Sequence, residues 1–224
     1  MLIALAGVVA GFIHVISGPD HLTAVAPLSL VRGRHDWKTG FRWGMGHAGG
    51  VLFVGLLFLL LREVLPLEKI SSWSERVVGL TLIGIGFWGL RRAAQHHVHT
   101  HAHTHDGSTH VHIHVHGTEG SPHTDQNPKH LHTHAAFAVG TLHGLAGSSH
   151  FIGVLPALAF VSRWDAMTYL ASFGFGTVAA MVGFTSALSY LAWRTAWTGP
   201  QAYRGLMRFC SITAMAVGFY WLVG

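Results

Sequence analysis

Two stretches of this 224-residue chain place ionisable side chains inside long apolar runs. The first reads Gly11-Phe12-Ile13-His14-Val15-Ile16-Ser17-Gly18-Pro19-Asp20-His21-Leu22, and the second His143-Gly144-Leu145-Ala146-Gly147-Ser148-Ser149-His150. With Pro27 and Pro156, both follow the pattern H-x3-G-x2-H-x5-P. On insertion scales an Asp at bilayer depth costs about 2.5–3.5 kcal/mol, so it needs a partner or a function there. Imidazoles with a single carboxylate suit Ni, Co, Zn or Cu(II) better than Mg, Ca or Mn. His14, Asp20, His21, His143 and His150 are therefore the candidate metal ligands. Ser149, which stands where the first copy has Asp20, joins them as a weaker donor. His47 follows Gly44-x-Gly46, but its counterpart in the second copy is Thr177, so a ligand role and a packing role both stay open. Neither catalytic nor cofactor-binding residues are expected.

These residues need elements that bring them together. In an intact helix His14 and His21 would share a face yet lie roughly 10 Å apart along the axis, too far to share an ion. Pro19 removes a backbone donor and Gly18 tolerates unusual dihedrals, so a break at 17–19 is expected to shorten that gap. Non-helical backbone is tolerated at membrane depth where it lines a polar cavity.

About 20 apolar residues cross the hydrocarbon core, and six segments qualify: 2–30, 40–61, 72–93, 135–161, 166–193 and 206–223. The third has the most polar start, with Ser71, Ser72, Ser74 and Glu75. Ten of the fourteen Lys and Arg fall on one face of this arrangement, which the positive-inside rule assigns to the cytoplasm. Both termini then lie outside.

Three blocks recur in the same order at an offset near 130 residues. The His motif is the first, and Gly44 with Gly46 recurs as Gly174 with Gly176. Arg76, Gly86, Phe87 and Leu90 recur as Arg208, Gly218, Phe219 and Leu222, with Trp88 matched by Tyr220. Three spans per copy force the second copy to enter from the opposite side, the pattern of an inverted repeat. The expected class is thus an all-α membrane protein of six transmembrane helices, built as two inverted three-helix repeats with a broken first helix in each. Residues 1–93 form the first repeat, 94–134 a loop and 135–224 the second repeat. The glycines at 44, 46, 49, 50, 174 and 176 read as close helix packing.

Composition excludes several classes. Only 10% of residues are Asp, Glu, Lys or Arg and 50% are hydrophobic, where a soluble domain carries about a quarter charged residues. The net charge of +5 is scattered between apolar runs, which argues against nucleic-acid binding. A lone Cys210 rules out a disulfide framework and a redox pair. The opening run lacks a basic flank and a small-residue cleavage site, and reads as part of the membrane domain. No phosphate-cradling P-loop is found in the sequence.

Fourteen of the twenty histidines lie between His96 and His134, interleaved with Thr, Val, Ala, Ile and Leu. With Gly, Ser, Pro and few aromatics, this cytoplasmic loop reads as disordered without metal and as a weak, multi-site metal buffer. A solubilising linker or a pH-responsive polycation is the plainer alternative.

Taken together, the paired intramembrane His motifs, the six spans and the central His-rich loop resemble the NicO-type nickel/cobalt transporters, a group that includes urease-accessory-like membrane proteins and nickel/cobalt efflux permeases. The resemblance implies translocation of divalent Ni or Co, with His14, Asp20 and His21 as first-motif ligands and His143 and His150 as their second-repeat equivalents. The expected activity is secondary transport of Ni²⁺ or Co²⁺, with Zn²⁺ left open, through a midplane site in a multi-pass protein that needs no cofactor and is not an enzyme. Imidazole binds metal only when deprotonated, so protons should compete for the site. Proton coupling, transport direction and homo-oligomerisation stay open. The alternatives are a membrane metal-binding protein that presents ions without passing them, or a metalloenzyme resembling the His-box hydroxylases.

Overall fold

The computed structural model describes residues 1–30, 36–61, 67–95, 97–105, 108–116, 131–145, 153, 155–157 and 159–223. The first run forms two helices, α1 (Leu2–Ser17) and α2 (Pro19–Ser29), bent by 73° at Gly18. Proline is at the first position of α2, where its missing N–H is one of the donors a helix start leaves unpaired anyway. The Gly18 N–H donates to Val15 O at 3.3 Å and its carbonyl accepts from the His21 N–H at 3.1 Å, so both sides of the elbow are capped. Gly18 has φ −92° and ψ 99°, a conformation open to any residue. Space, and not dihedral freedom, demands glycine: a Cβ here would fall on the His21 ring.

Helix α3 (Trp37–Leu61) starts from Asp36, whose carboxylate accepts from the Thr39 N–H at 3.3 Å and from the Thr39 hydroxyl. Next come α4 (Leu67–Gln95), strands β1 (His97–His105) and β2 (Ser108–His116), and α5 (Leu131–Leu145). The 36-residue α6 (Arg163–Thr198) is capped by Ser162 and ends at Gly199, φ 137°. There Pro200 opens α7 (Pro200–Val223).

Helix α1 packs along α6, α3 along α5 and α6, and α4 along α7. Glycine sets the closeness of these crossings, and the contacts come in matched pairs. The place a Cβ of Gly11 would take is held by Phe173 O, and that of Gly140 by Trp43 O. Likewise Gly176 abuts Val8 O and Gly46 abuts Phe137 O, while Gly79 abuts Gly218 O and Gly86 abuts Ser211 O. Within each pair, one contact becomes the other when the sequence offset of about 130 residues is applied to both partners. Gly49 has no such neighbour within 4 Å. Val15, Val25, Trp43, Leu82 and Met181 form the central core, and side chains such as Leu5, Val9, Phe12 and Ile16 of α1 are turned outward. The far end of α2 is tied down by Tyr203, whose hydroxyl donates to Leu30 O at 2.9 Å, and by Ser189, which donates to Ser29 O at 3.3 Å.

Among the described residues, three helices are long and apolar enough to cross a membrane, within Glu75–Ala94, Arg163–Thr195 and Gln201–Val223, and the bent pair α1 and α2 qualifies as a fourth, broken span. The other two expected segments run beyond the described residues: side chains 56–61 of the segment 40–61, and residues 146–152, 154 and 158 of the segment 135–161, lie outside them.

The described parts of both expected repeats are helical, as expected for an all-α membrane domain, and the departure is confined to the segment between them. Residues 97–105 and 108–116 pair as an antiparallel hairpin within the segment read as a loop without regular structure. The alternation of His with Val, Thr, Ala and Ile has the two-residue period and the β-branched content of a strand, which outweighs its lack of core-forming residues.

Candidate metal centre

His14 sits in the last turn of α1 and His21 in the first turn of α2, on either side of the elbow. The bend brings their ring centroids to 4.7 Å in an edge-on arrangement. His47, fully buried on α3, adds a third imidazole, with its Nε2 3.4 Å from the Nε2 of His14. One nitrogen from each of the three lies within 4.8 Å of the other two. Two ligands about 2.1 Å from one ion, at the tetrahedral angle, are themselves about 3.4 Å apart. The His14–His47 separation is therefore already that of a tetrahedral edge.

Asp20 ties this cluster to the second half of the chain. Its Oδ1 lies 3.1 Å from Nδ1 of His21, and its Oδ2 lies 3.5 Å from Nε2 of the buried His143 on α5. A carboxylate on one ring nitrogen fixes the tautomer and orientation that aim the other nitrogen at a metal. In this geometry Asp20 acts on His21 and His143 and lies outside the three-imidazole group. His143 reaches that group through Asp20, its ring 5.7 Å from that of His21. His150 and Ser149 lie outside the described residues. Thr177, the counterpart of His47, is buried and donates its hydroxyl to Phe173 O at 3.0 Å, so the second half supplies no imidazole at that position.

Aromatic walls surround the imidazoles. Trp43 stacks on His47, with ring centroids 4.8 Å apart and planes 12° apart, and lies 5.6 Å from both His21 and His143. Phe173 stands 5.4 Å from His14. Neither residue was singled out by the sequence motifs, although a signal existed: each directly precedes a repeated Gly-x-Gly, at 44–46 and 174–176. A cavity of about 470 Å³ reaches the cluster along the elbow, lined by His14, Gly18, Asp20, His21, Tyr169 and Trp221 among others. Chemically, the arrangement offers neutral nitrogen donors, one carboxylate that orients them, and an open approach from one side.

Comparison with known proteins adds a second line of argument. No family model matches the chain, and no solved structure matches it. A chloroplast protein for growth and fertility of Arabidopsis thaliana is 36% identical over 216 residues, 96% of this chain and 57% of that protein, so the chain spans little more than half of its length. The urease accessory protein UreH of a Bacillus species is 27% identical across 81% of this chain and 74% of its own. A protein of Methanocaldococcus jannaschii is 26% identical over 103 residues, 44% of this chain and 48% of that protein. Its name is that of a candidate nickel/cobalt efflux system. The similarity to UreH thus covers most of both chains, whereas the similarity to the archaeal protein covers under half of each.

Proposed function

We propose that this chain is a NicO-type secondary transporter of divalent transition-metal ions, Ni²⁺ or Co²⁺ foremost, and not an enzyme. The observation that carries this reading is the meeting of His14, His21 and His47 from three helices, with ligand nitrogens within 4.8 Å, in the interior of an apolar bundle. Packing alone does not call for three imidazoles in one place, whereas a borderline cation does. The names of the urease accessory and nickel/cobalt efflux relatives support the same substrate class.

In this mechanism the ion enters through the cavity along the elbow and sheds part of its hydration onto His14, His21 and His47. Asp20 holds His21 in its ligand tautomer and balances charge, and His143 anchors Asp20 from the opposite half. His150 and Ser149 would complete the second motif. The paired glycine contacts support two inverted repeats around this site, because a two-fold relation exchanges α1 on α6 with α5 on α3. The termini would face outside and the His-rich segment the cytoplasm.

The test is flux of Ni²⁺ into sealed proteoliposomes, with Co²⁺ and Zn²⁺ as competitors and a pH gradient imposed in either sense. Saturable Ni²⁺ flux that disappears in His21→Ala and His47→Ala, with protein still inserted, is the expected result. Wild-type flux in both variants would overturn the site, and binding without flux would leave a metal-presenting protein in place of a carrier.

A further inference from the structure

The cavity that reaches the His cluster takes its far wall from the second half of the chain: Gly153, Pro156, Tyr169 and Trp221. Pro156 is exposed, Gly153 and Trp221 are half-buried, and Tyr169 is buried, its hydroxyl donating to Gly153 O at 3.1 Å. The recurring blocks are offset by 129 residues at His14 and His143, 130 at Gly44 and Gly174, and 132 at Gly86 and Gly218. Those offsets set Ala24 against Gly153, Pro27 against Pro156, Thr39 against Tyr169 and Gly89 against Trp221. All four of these first-half residues are buried. The Ser211 hydroxyl of α7 holds the place a Cβ of Gly89 would take, and Pro27 Cβ lies 3.2 Å from it. Where tryptophan borders open space in one half, glycine lets α4 close on α2 and α7 in the other. Beyond this contact the end of α2 is fastened by Ser189 and Tyr203, which donate to Ser29 O and Leu30 O. One set of positions is thus a mouth, and the equivalent set is a seal.

We propose that Ala24, Pro27, Thr39 and Gly89 form a second mouth, shut in this structure, through which a divalent transition-metal ion passes between the His cluster and the opposite face of the membrane. This rests on the transporter reading above and deepens it by naming the second opening. Repeats related by an axis in the membrane plane put equivalent surfaces on opposite faces. When the two halves exchange conformations, Pro27 and Gly89 part while Pro156 and Trp221 come together, so the ion meets one open mouth at a time. Opening costs α2 its bonds from Ser189 and Tyr203, both made to carbonyls that a helix C-terminus leaves without partners of its own.

The test is thiol labelling of the full chain in a Cys210→Ala background, which leaves one introduced thiol per molecule. Pro156→Cys reports the open mouth and Ala24→Cys the shut one, with Thr39→Cys as a second probe of the shut mouth. A membrane-impermeant maleimide is added to right-side-out and to inverted membrane vesicles, with and without Ni²⁺, and Ni²⁺ flux is followed in the same preparations. Pro156→Cys is expected to label in one vesicle type without Ni²⁺. Ala24→Cys and Thr39→Cys should label only in the other type, several-fold faster while Ni²⁺ flows. Adding Gly89→Ala, whose methyl meets Ser211 and Pro27, should loosen the seal and speed labelling of Ala24→Cys several-fold without Ni²⁺. If both shut-mouth thiols stay unlabelled during Ni²⁺ flux, or label from the same side as Pro156→Cys, the second mouth is overturned and the transporter reading stands. A parent chain without Ni²⁺ flux overturns that reading, and the second mouth with it.

Discussion

Replacing Gly18 with Ala adds one methyl group at the elbow between α1 and α2. The backbone accepts it, since φ −92° and ψ 99° are ordinary for alanine, and the loss of chain freedom in the unfolded state favours the folded form by about 0.4–1 kcal/mol. The methyl nevertheless lands on the His21 ring, the movable end of a side chain, so the ring must swing aside while the helices hold. That removes one of the three imidazoles of the cluster and breaks the 3.1 Å contact between Asp20 and His21. Disturbing the groups that orient a ligand costs about 10- to 100-fold in metal affinity, equivalent to about 1.4–2.8 kcal/mol. Ni²⁺ titration of the purified protein should show that loss, with a thermal unfolding midpoint within a few degrees of the parent. The effect must also vanish in a His21→Ala background, because the displaced ring is already absent. Unchanged Ni²⁺ affinity in Gly18→Ala would refute the reasoning, as would a loss that persists undiminished when His21 is alanine.

Other substitutions probe the rest of the arrangement. Asp20→Asn keeps the shape and an acceptor for His21 but removes the charge, and should lower Ni²⁺ affinity by about 10- to 100-fold in the same titration; an affinity at the parent level would show that the carboxylate does not support the imidazoles. Gly11→Ala and Gly140→Ala put a methyl against the Phe173 and Trp43 carbonyls respectively, and each should destabilise the fold by about 1–3 kcal/mol. Thermal unfolding that is strongly affected by one and untouched by the other would break their equivalence. Trp43 is one of eight tryptophans and the one stacked on His47, so Ni²⁺ or Co²⁺ should quench part of the intrinsic fluorescence. Trp43→Phe should remove most of that ion-dependent part, and equal quenching in parent and variant would place the ion elsewhere.

How much of this was legible in the sequence differs from residue to residue. The elbow was, because Gly18-Pro19 inside an apolar run leaves the chain few options, and the approach of His14 to His21 follows from it. His47 was left undecided, since nothing local distinguishes a packed imidazole from a ligand. Its place beside His14 is fixed by the glycine-lined crossings of α3, a tertiary effect. Trp43 and Phe173 escaped notice because large apolar residues in a helix are overwhelmingly packing, and their role as walls appears only once the helices are assembled. The hairpin is hidden where composition outweighs period: the segment is poor in core residues, yet its alternation is that of a strand. Asp20 is expected as a ligand on chemical grounds, and the structure adds its contacts to His21 and His143, which only the assembled helices reveal.

The glycine crossings have a mechanical consequence. Where helices meet through interlocked side chains, one can shift past the other only by lifting over a row of knobs. At Gly7 and Gly11 against α6, and at Gly46 and Gly140 along the α3–α5 seam, smooth main chain faces smooth main chain. Surfaces of that kind bring the two backbones into direct contact and tolerate no added bulk. The same missing methyl groups that pull the two halves close to each other leave main chain, and not interlocked side chains, to hold the seam.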